Sequence, residues 1–336
     1  VLYEAKNSTM APVPGTTIKI MTWNIRFGIG RLLFFGDSCG ERSIFTESEV
    51  MDALDSIANK INELDPDIII MQEVDRESKR TAYIDQVKWL LDNTDLNYGA
   101  YASMWKAQTI PSDGIGRIDA GNAVLSKWYI ESAERVQLPL RGDQDDLTLL
   151  FYLRRNILKA KIAIPDQDDF YAVNVHATAF ATDDTKQKHI DKFKEVLDEM
   201  DVAGYVFVAG GDLNSVPPGA NIDYCDEDAC ENDIFHTDVD SGPHLEGSYF
   251  NNFENEPLLL KSLYDTYNSA ISLTEVVTAN HNTHSTSVNR WWDRKLDYIF
   301  TNKNVASGSG TTYQGAIQKT IHLSDHAPVS CAIILE

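Results

Sequence analysis

Six apolar stretches of this 336-residue chain end on, or carry, a residue able to bind a hard cation or move a proton. The run from Ile18 stops at Asn24, the run from Asp67 stops at Glu73, and the run from Phe170 stops at His176. The run from Val206 breaks at Gly210-Gly211 and is followed at once by Asp212 and Asn214. Asp297 lies inside the run from Lys295 to Phe300, and Asp325 and His326 stand just before the last apolar run. Their β-branched and aromatic content marks these stretches as buried strands. One Asp or Asn after a strand is ordinarily a turn former or a helix cap. Six such endings together predict that the polar residues converge at one edge of a sheet, where open α/β folds gather reactive groups.

The pieces Thr22-Trp23-Asn24, Gln72-Glu73, Asn174-Val175-His176, Gly211-Asp212-Leu213-Asn214, Leu296-Asp297-Tyr298-Ile299 and Ser324-Asp325-His326 run through nearly the whole chain, within residues 17–334. In type and order they resemble the endonuclease/exonuclease/phosphatase superfamily of metal-dependent phosphoesterases. That superfamily includes pancreatic-type deoxyribonuclease, abasic-site endonucleases, inositol polyphosphate 5-phosphatases and neutral sphingomyelinases. The resemblance implies an α/β fold, a four-layer sandwich of two packed, mostly antiparallel mixed sheets flanked by helices. It also implies magnesium or manganese, with Asp325, and sometimes Asp212 and Asn214, near the metal, and Asp297 as the partner of His326. Asp119 is the candidate partner for His176.

Hydrolysis of a phosphodiester needs a cation on the non-bridging oxygens, an activated water and help for the leaving oxygen. Glu73 and Asn24 offer carboxylate and carbonyl oxygens that suit magnesium better than zinc. His326 is the expected general base, because an imidazole titrates near neutral pH and a carboxylate on its other nitrogen fixes the tautomer. Asp212 and Asn214 are expected to orient the water and bind phosphate, and His176 to stabilise the phosphorane or assist the leaving group. Asn122 and Asn174 are candidates for substrate contact, and Arg26, Arg117, Arg154, Arg155 and Arg290 for phosphate contact.

The net charge of -22 disfavours broad attraction to nucleic acid, whose binders neutralise many phosphates with Lys and Arg. Leu32-Leu33-Phe34-Phe35 and Trp291-Trp292 flank the expected site, and Phe and Trp favour lipid interfaces. A phospholipid or other small phosphodiester or phosphomonoester is therefore the preferred substrate. A secreted nuclease is the alternative, and a non-catalytic binding module on the same fold is the third reading. The complete set of polar residues argues against that third reading.

With 43% hydrophobic residues the chain can bury a large core, and no stretch approaches the 18 or more apolar residues of a membrane span. Residues 1–16 read as a polar spacer, as after a removed leader, and 17–336 as a single domain with a loop insertion at about 216–257. Residues 221–240 carry eight acidic side chains and no Lys or Arg, without the spacing of a calcium-binding EF-hand loop. Of the four cysteines, Cys225 and Cys230 are spaced for a disulfide, which together with the spacer predicts a secreted or periplasmic protein. Thr46 and Glu49 form a capping box ahead of Val50, Leu54, Ile57, Ile61 and Leu64, predicting a helix that stops at Asp65-Pro66. A second helix is expected over 81–91 and a third over 182–200. Strands with short polar connections between 98 and 164 predict antiparallel pairing.

Overall fold

The two strands that open the site are apolar on both faces because both faces are covered. In the computed structural model, which describes residues 1–35, 40–111, 113–220, 255–285, 291–315 and 320–335, these strands lie side by side in a seven-stranded sheet. That sheet is built from β1 (Leu2–Glu4), β2 (Thr17–Asn24), β3 (Ile68–Asp75), β4 (Tyr98–Ile110), β5 (Gly116–Ser126), β12 (Thr311–Thr312) and β13 (Val329–Ile334), in the order β1-β4-β5-β3-β2-β13-β12. The second sheet, of six strands, holds β6 (Ile130–Gln137), β7 (Asn156–Ile162), β8 (Phe170–His176), β9 (Val206–Asp212), β10 (Asn268–Ser269) and β11 (Asp297–Thr301), in the order β10-β11-β9-β8-β7-β6. Pairing is antiparallel except for β2 with β3 and β8 with β9. Each sheet therefore has one central parallel pair, and the carboxyl ends of both pairs meet at the site.

Side-chain alternation assigns the layers. Ile18, Ile20, Ile68 and Ile70 point into the core shared with the second sheet, while Met21, Trp23, Ile69 and Met71 face the helices outside. Those helices are α1 (Glu47–Leu64), with the expected Thr46–Glu49 capping box, and α2 (Gln86–Asn93). The helix α4 (Thr185–Val202), following the short α3 (Asp146–Phe151), covers the second sheet with Ile190, Phe193, Val196, Leu197 and Met200. The result is a four-layer α/β sandwich.

Two expectations change. The helix expected over 81–91 is a 3-10 turn, Lys79–Thr81, and then α2, capped by Asp85 through Lys88 N. Arg80 and Thr81 are diverted onto Asp75, and Ala82 and Tyr83 take left-handed φ, which ends the turn before α2 can begin. The spacer expected over 1–16 is also docked. β1 adds an edge strand to β4, and Pro12 O accepts from Trp128 Nε1 at 2.9 Å, contacts made by backbone that no side-chain pattern announces. Cys39, Cys225, Cys230, Arg290 and nearly all of the acidic insertion lie outside the described residues. Among the described residues no helix is long and apolar enough to cross a membrane.

Candidate active site

A bulge aims the first carboxylate. Between Met71 and Val74 the register of β3 against β5 slips, and Glu73 sits there with a φ of 55°, so its side chain turns out of the strand toward the site. Beneath it Asp75, fully buried, takes both donors of Arg80 at 2.8 Å and the Thr81 hydroxyl at 2.9 Å. The Arg80 guanidinium lies 3.7 Å from the centre of the Phe27 ring, pinning the loop after β2 to the same support.

A glycine and a parallel neighbour place Asp212. Gly211 has φ +133°, and a Cβ there would stand 2.1 Å from Val175 O, so no side chain fits as β9 passes β8. Asp212 follows opposite His176, and its Oδ2 is a meeting point: Asn24 Nδ2 at 3.1 Å, His176 Nε2 at 3.3 Å and His326 Nε2 at 3.6 Å. Its Oδ1 accepts from Asn214 N at 2.9 Å, while Asn214, at φ 47°, gives its Nδ2 to Ala177 O at 3.0 Å. Burial, followed by the nearby Asp297 carboxylate, raises Asp212 to about 7.

His326 is gripped from several sides. Its Nδ1 lies 2.7 Å from Asp297 Oδ2, Trp23 Nε1 donates to its carbonyl at 2.9 Å, and Ser324 Oγ accepts from its N–H at 3.1 Å. Ser324 Oγ donates in turn to Asn24 O at 2.7 Å, which ties the turn before β13 to the end of β2. Burial works against a charge on His326, but Asp297, Asp212 and Asp325 outweigh it and hold the ring protonated up to about 10. As placed, His326 is an imidazolium and not the free base expected from sequence. His176 is the opposite case: burial, then the Arg155 charge, drive its pKa well below the usual value, so it is a neutral imidazole.

The third corner is Asp325, with Arg26 Nε at 3.4 Å from its Oδ2. Burial opposes its ionisation, yet His326, Arg26, His284 and Arg31 bring it down to about 2. Glu73 is raised, by burial and then by repulsion from Asp325. Two carboxylates that repel one another suit a hard cation, which prefers oxygen ligands. Asn24 joins them, with Nδ2 at 3.2 Å from Glu73 Oε1. Its Oδ1 accepts from Arg26 N at 3.0 Å, so it would reach a cation only after a half-turn of the amide. Among the described residues, the donor triads whose ligand atoms lie within 4.8 Å of one another are His284–Asp325–His326 and Asp212–Asp297–His326.

The structure therefore brings together Asn24, Glu73, His176, Asp212, Asn214, Asp297, Asp325 and His326. It does not present Asn122 or Asn174 to a substrate. Asn174 gives Nδ2 to Met71 O and Ala123 O at 2.7 and 2.8 Å and accepts from Gln72 Nε2 at 2.8 Å, stitching one sheet to the other. Asn122 Nδ2 is committed to Asn156 O at 3.0 Å. Both are fully buried, and burial requires Asn174 to find its partners inside. Asp119 is not the partner of His176: its carboxylate takes the Tyr101 and Ser103 hydroxyls at 2.9 and 2.6 Å.

Among the candidate arginines, Arg26 is bound to Asp325 and to the Gly30 and Leu32 carbonyls, and Arg117 to Glu77. Arg155 is different. It gives Nη1 to His176 O at 3.2 Å and, among the described residues, is in ion-pair contact with no carboxylate, while Asp212 and Glu73 act on its charge from farther off. His284 lies outside every apolar run and gave no signal in the sequence, yet its ring stands edge-on to His326 with centres 5.0 Å apart. The apolar clusters are split. Phe34 and Trp292 are buried, Leu32 is half-buried, and Leu33, Phe35 and Trp291 stay at least one-third exposed.

A family model described as the endonuclease/exonuclease/phosphatase family matches residues 21–326. Solved structures share the fold. A protein so described from Beutenbergia cavernae is 18% identical with a TM-score of 0.57, over 95% of this chain and 72% of that one. Truncated Caenorhabditis elegans TDP2 is 14% identical with a TM-score of 0.52, over 96% and 99%. The human Nocturnin catalytic domain, solved with a bound sulfate anion, is 14% identical with a TM-score of 0.55, over 99% and 96%. No curated protein sequence matches this one.

Proposed function

The chain belongs to the endonuclease/exonuclease/phosphatase family, and from that membership and the three donors converging on Asp212 Oδ2 we propose that it hydrolyses phosphoesters with a divalent cation. The convergence carries the reading. A buried carboxylate oxygen with a pKa near neutrality, ringed by an amide and two imidazoles, is built to hold a water and take its proton.

Glu73 and Asp325 would hold magnesium, with manganese as the alternative, while Asn24 keeps its amide N–H on Asp212 and Glu73. Such a cation neutralises the facing carboxylates and polarises a phosphoryl oxygen. The remaining work belongs to side chains in place. Asp212 accepts a proton from the water that attacks phosphorus. Asn24 and neutral His176 keep its carboxylate oriented, and Asn214 fixes its other oxygen. His326, held by Asp297, supplies positive charge and donates its Nε2 proton as the phosphorus–oxygen bond breaks. The proton on Asp212 then returns across 3.6 Å to His326 Nε2, closing the cycle. Arg155 contributes a fixed positive charge for the phosphate.

The substrate we infer is a phospholipid or other small phosphoester. The exposed Leu33, Phe35 and Trp291 support a lipid surface, and the charge of -22 weighs against a nucleic acid. The test compares a soluble phosphodiester, phospholipid vesicles and plasmid DNA, each with magnesium, with EDTA and with the Asp212→Ala variant. Vesicle hydrolysis that needs metal and Asp212, and that falls when Leu33, Phe35 and Trp291 become Ser while soluble-ester turnover holds, is the expected result. Plasmid nicking with the same requirements and idle vesicles would make the protein a nuclease. EDTA-insensitive activity on all three sinks the mechanism.

A further inference from the structure

Two buried atoms of opposite charge close to the catalytic pair have no hydrogen-bond partner among the described residues: Lys295 Nζ and Asp297 Oδ1. Lys295 is 2% exposed, and its ammonium stands 5.5 Å over the Tyr298 ring. Its backbone is fixed, because Tyr298 OH shares its one proton between Ser215 O at 2.7 Å and Lys295 O at 2.9 Å. It is not in direct ion-pair contact with any described carboxylate. A buried ammonium requires an acceptor, and so does the second oxygen of a buried carboxylate. The carboxylate two residues on is the one whose other oxygen holds His326 Nδ1 at 2.7 Å.

We propose that Lys295 is a positioning residue for this pair: through one bridging water its ammonium holds Asp297 Oδ1, and so fixes the carboxylate that orients His326. A buried water is stable where polar groups converge on it, and these two atoms need the same one. Burial lowers Lys295 to about 7, and Asp297 is the one group that opposes the shift. Lys295 stands two residues before Asp297, the first residue of β11. Thr283 Oγ1 accepts from the N–H groups of both Leu296 and Asp297, at 3.0 and 3.1 Å, so the backbone between them is held as well. The inference rests on the reading that Asp297 orients His326 for phosphoester hydrolysis.

The test is a double-mutant cycle with an NMR readout on the full chain. Lys295→Met lowers kcat about tenfold with KM nearly unchanged, Lys295→Arg restores most of the loss, and in an Asp297→Asn background Lys295→Met has no further effect. In metal-free protein without substrate, the downfield proton on His326 Nδ1, identified by its absence in His326→Gln, shifts in Lys295→Met and returns in Lys295→Arg. Should Lys295→Met fail to fold, Lys295→Gln, which keeps a donor without the charge, takes its place in both measurements. Losses that multiply in the double variant, or a His326 proton that does not move, overturn the proposal. If the wild-type protein hydrolyses no phosphoester, the functional reading fails, and the NMR comparison still decides the Lys295–Asp297 link.

Discussion

Asp212 and Asp297 stand directly opposite one another across the antiparallel β9–β11 pair, and the His326 ring reaches both, Nδ1 to Asp297 at 2.7 Å and Nε2 to Asp212 at 3.6 Å. Like charges facing each other in a sheet are unfavourable. The imidazolium offsets that repulsion, so the same ring that serves the reaction also holds the site together.

Replacing His326 by Gln removes this cation. We expect kcat to fall by about a thousandfold and Tm to drop, because Asp212 and Asp297 are left facing one another. Thermal melts at pH 8 and pH 5 check the second part: the stabilisation from His326, raised to about 10, is complete below its ordinary value and shrinks as pH rises, so the loss is larger at pH 5. Equal losses at both pH values would break the link between ring and carboxylates.

The pH profile follows from the two roles. Asp212 must be unprotonated to accept the water's proton, so kcat/KM rises as pH passes about 7. His326 must be protonated to donate, so the rate falls as pH approaches about 10. Rates measured from pH 5 to 11 check this, with Asp212→Glu expected to move the acidic limb and leave the alkaline one. A flat acidic limb removes Asp212 as the acceptor.

Glu73→Gln separates cation binding from folding. Burial and Asp325 already disfavour the Glu73 charge, so the neutral isostere raises the Tm of metal-free protein. Calorimetric titration with manganese should show affinity weakened at least about tenfold. Unchanged manganese affinity would take Glu73 out of the cation site.

Asn174→Ala tests the seam between the sheets. It leaves the Met71 and Ala123 carbonyls without their donor in a dry interior, a loss of about 2–4 kcal/mol. Denaturant unfolding checks the size, and KM of the folded protein should stay within about twofold. A raised KM with normal stability would restore Asn174 as a substrate contact.

Acid stability has a separate source in Asp143, which pairs with Arg141 and accepts from Thr182 N at 2.8 Å. Burial opposes its ionisation, but these partners bring it from 3.8 to about 2. A depressed carboxylate stabilises the fold above about pH 4, and that contribution is lost as pH falls through about 2. After allowance for solvent screening it is worth about 1 kcal/mol. Urea unfolding at pH 6 and pH 2.5 should show a smaller acid loss in Asp143→Asn than in the wild type.

The strands and their endings are legible in the order of residues alone. Runs such as Val206–Gly211 are long, apolar and abruptly stopped, and a polar residue at such a stop has few places to be except the sheet edge. That logic singled out the eight residues from Asn24 to His326; the capping box of α1 was legible in its own spacing, and the layered fold followed from the family resemblance. It failed where a side chain's partners come from a distant segment. Nothing local distinguishes Asn174, locked between sheets, from a polar residue facing a ligand, and nothing in the polar surroundings of His284 marks it as a neighbour of His326. The protonation of the site was equally out of reach. An isolated His326 is a base near neutral pH, but Asp297 and Asp212, brought from other parts of the chain, and the neighbouring Asp325 raise it to about 10. Charge, desolvation and distance act through space, so only the tertiary structure could decide which group holds the proton.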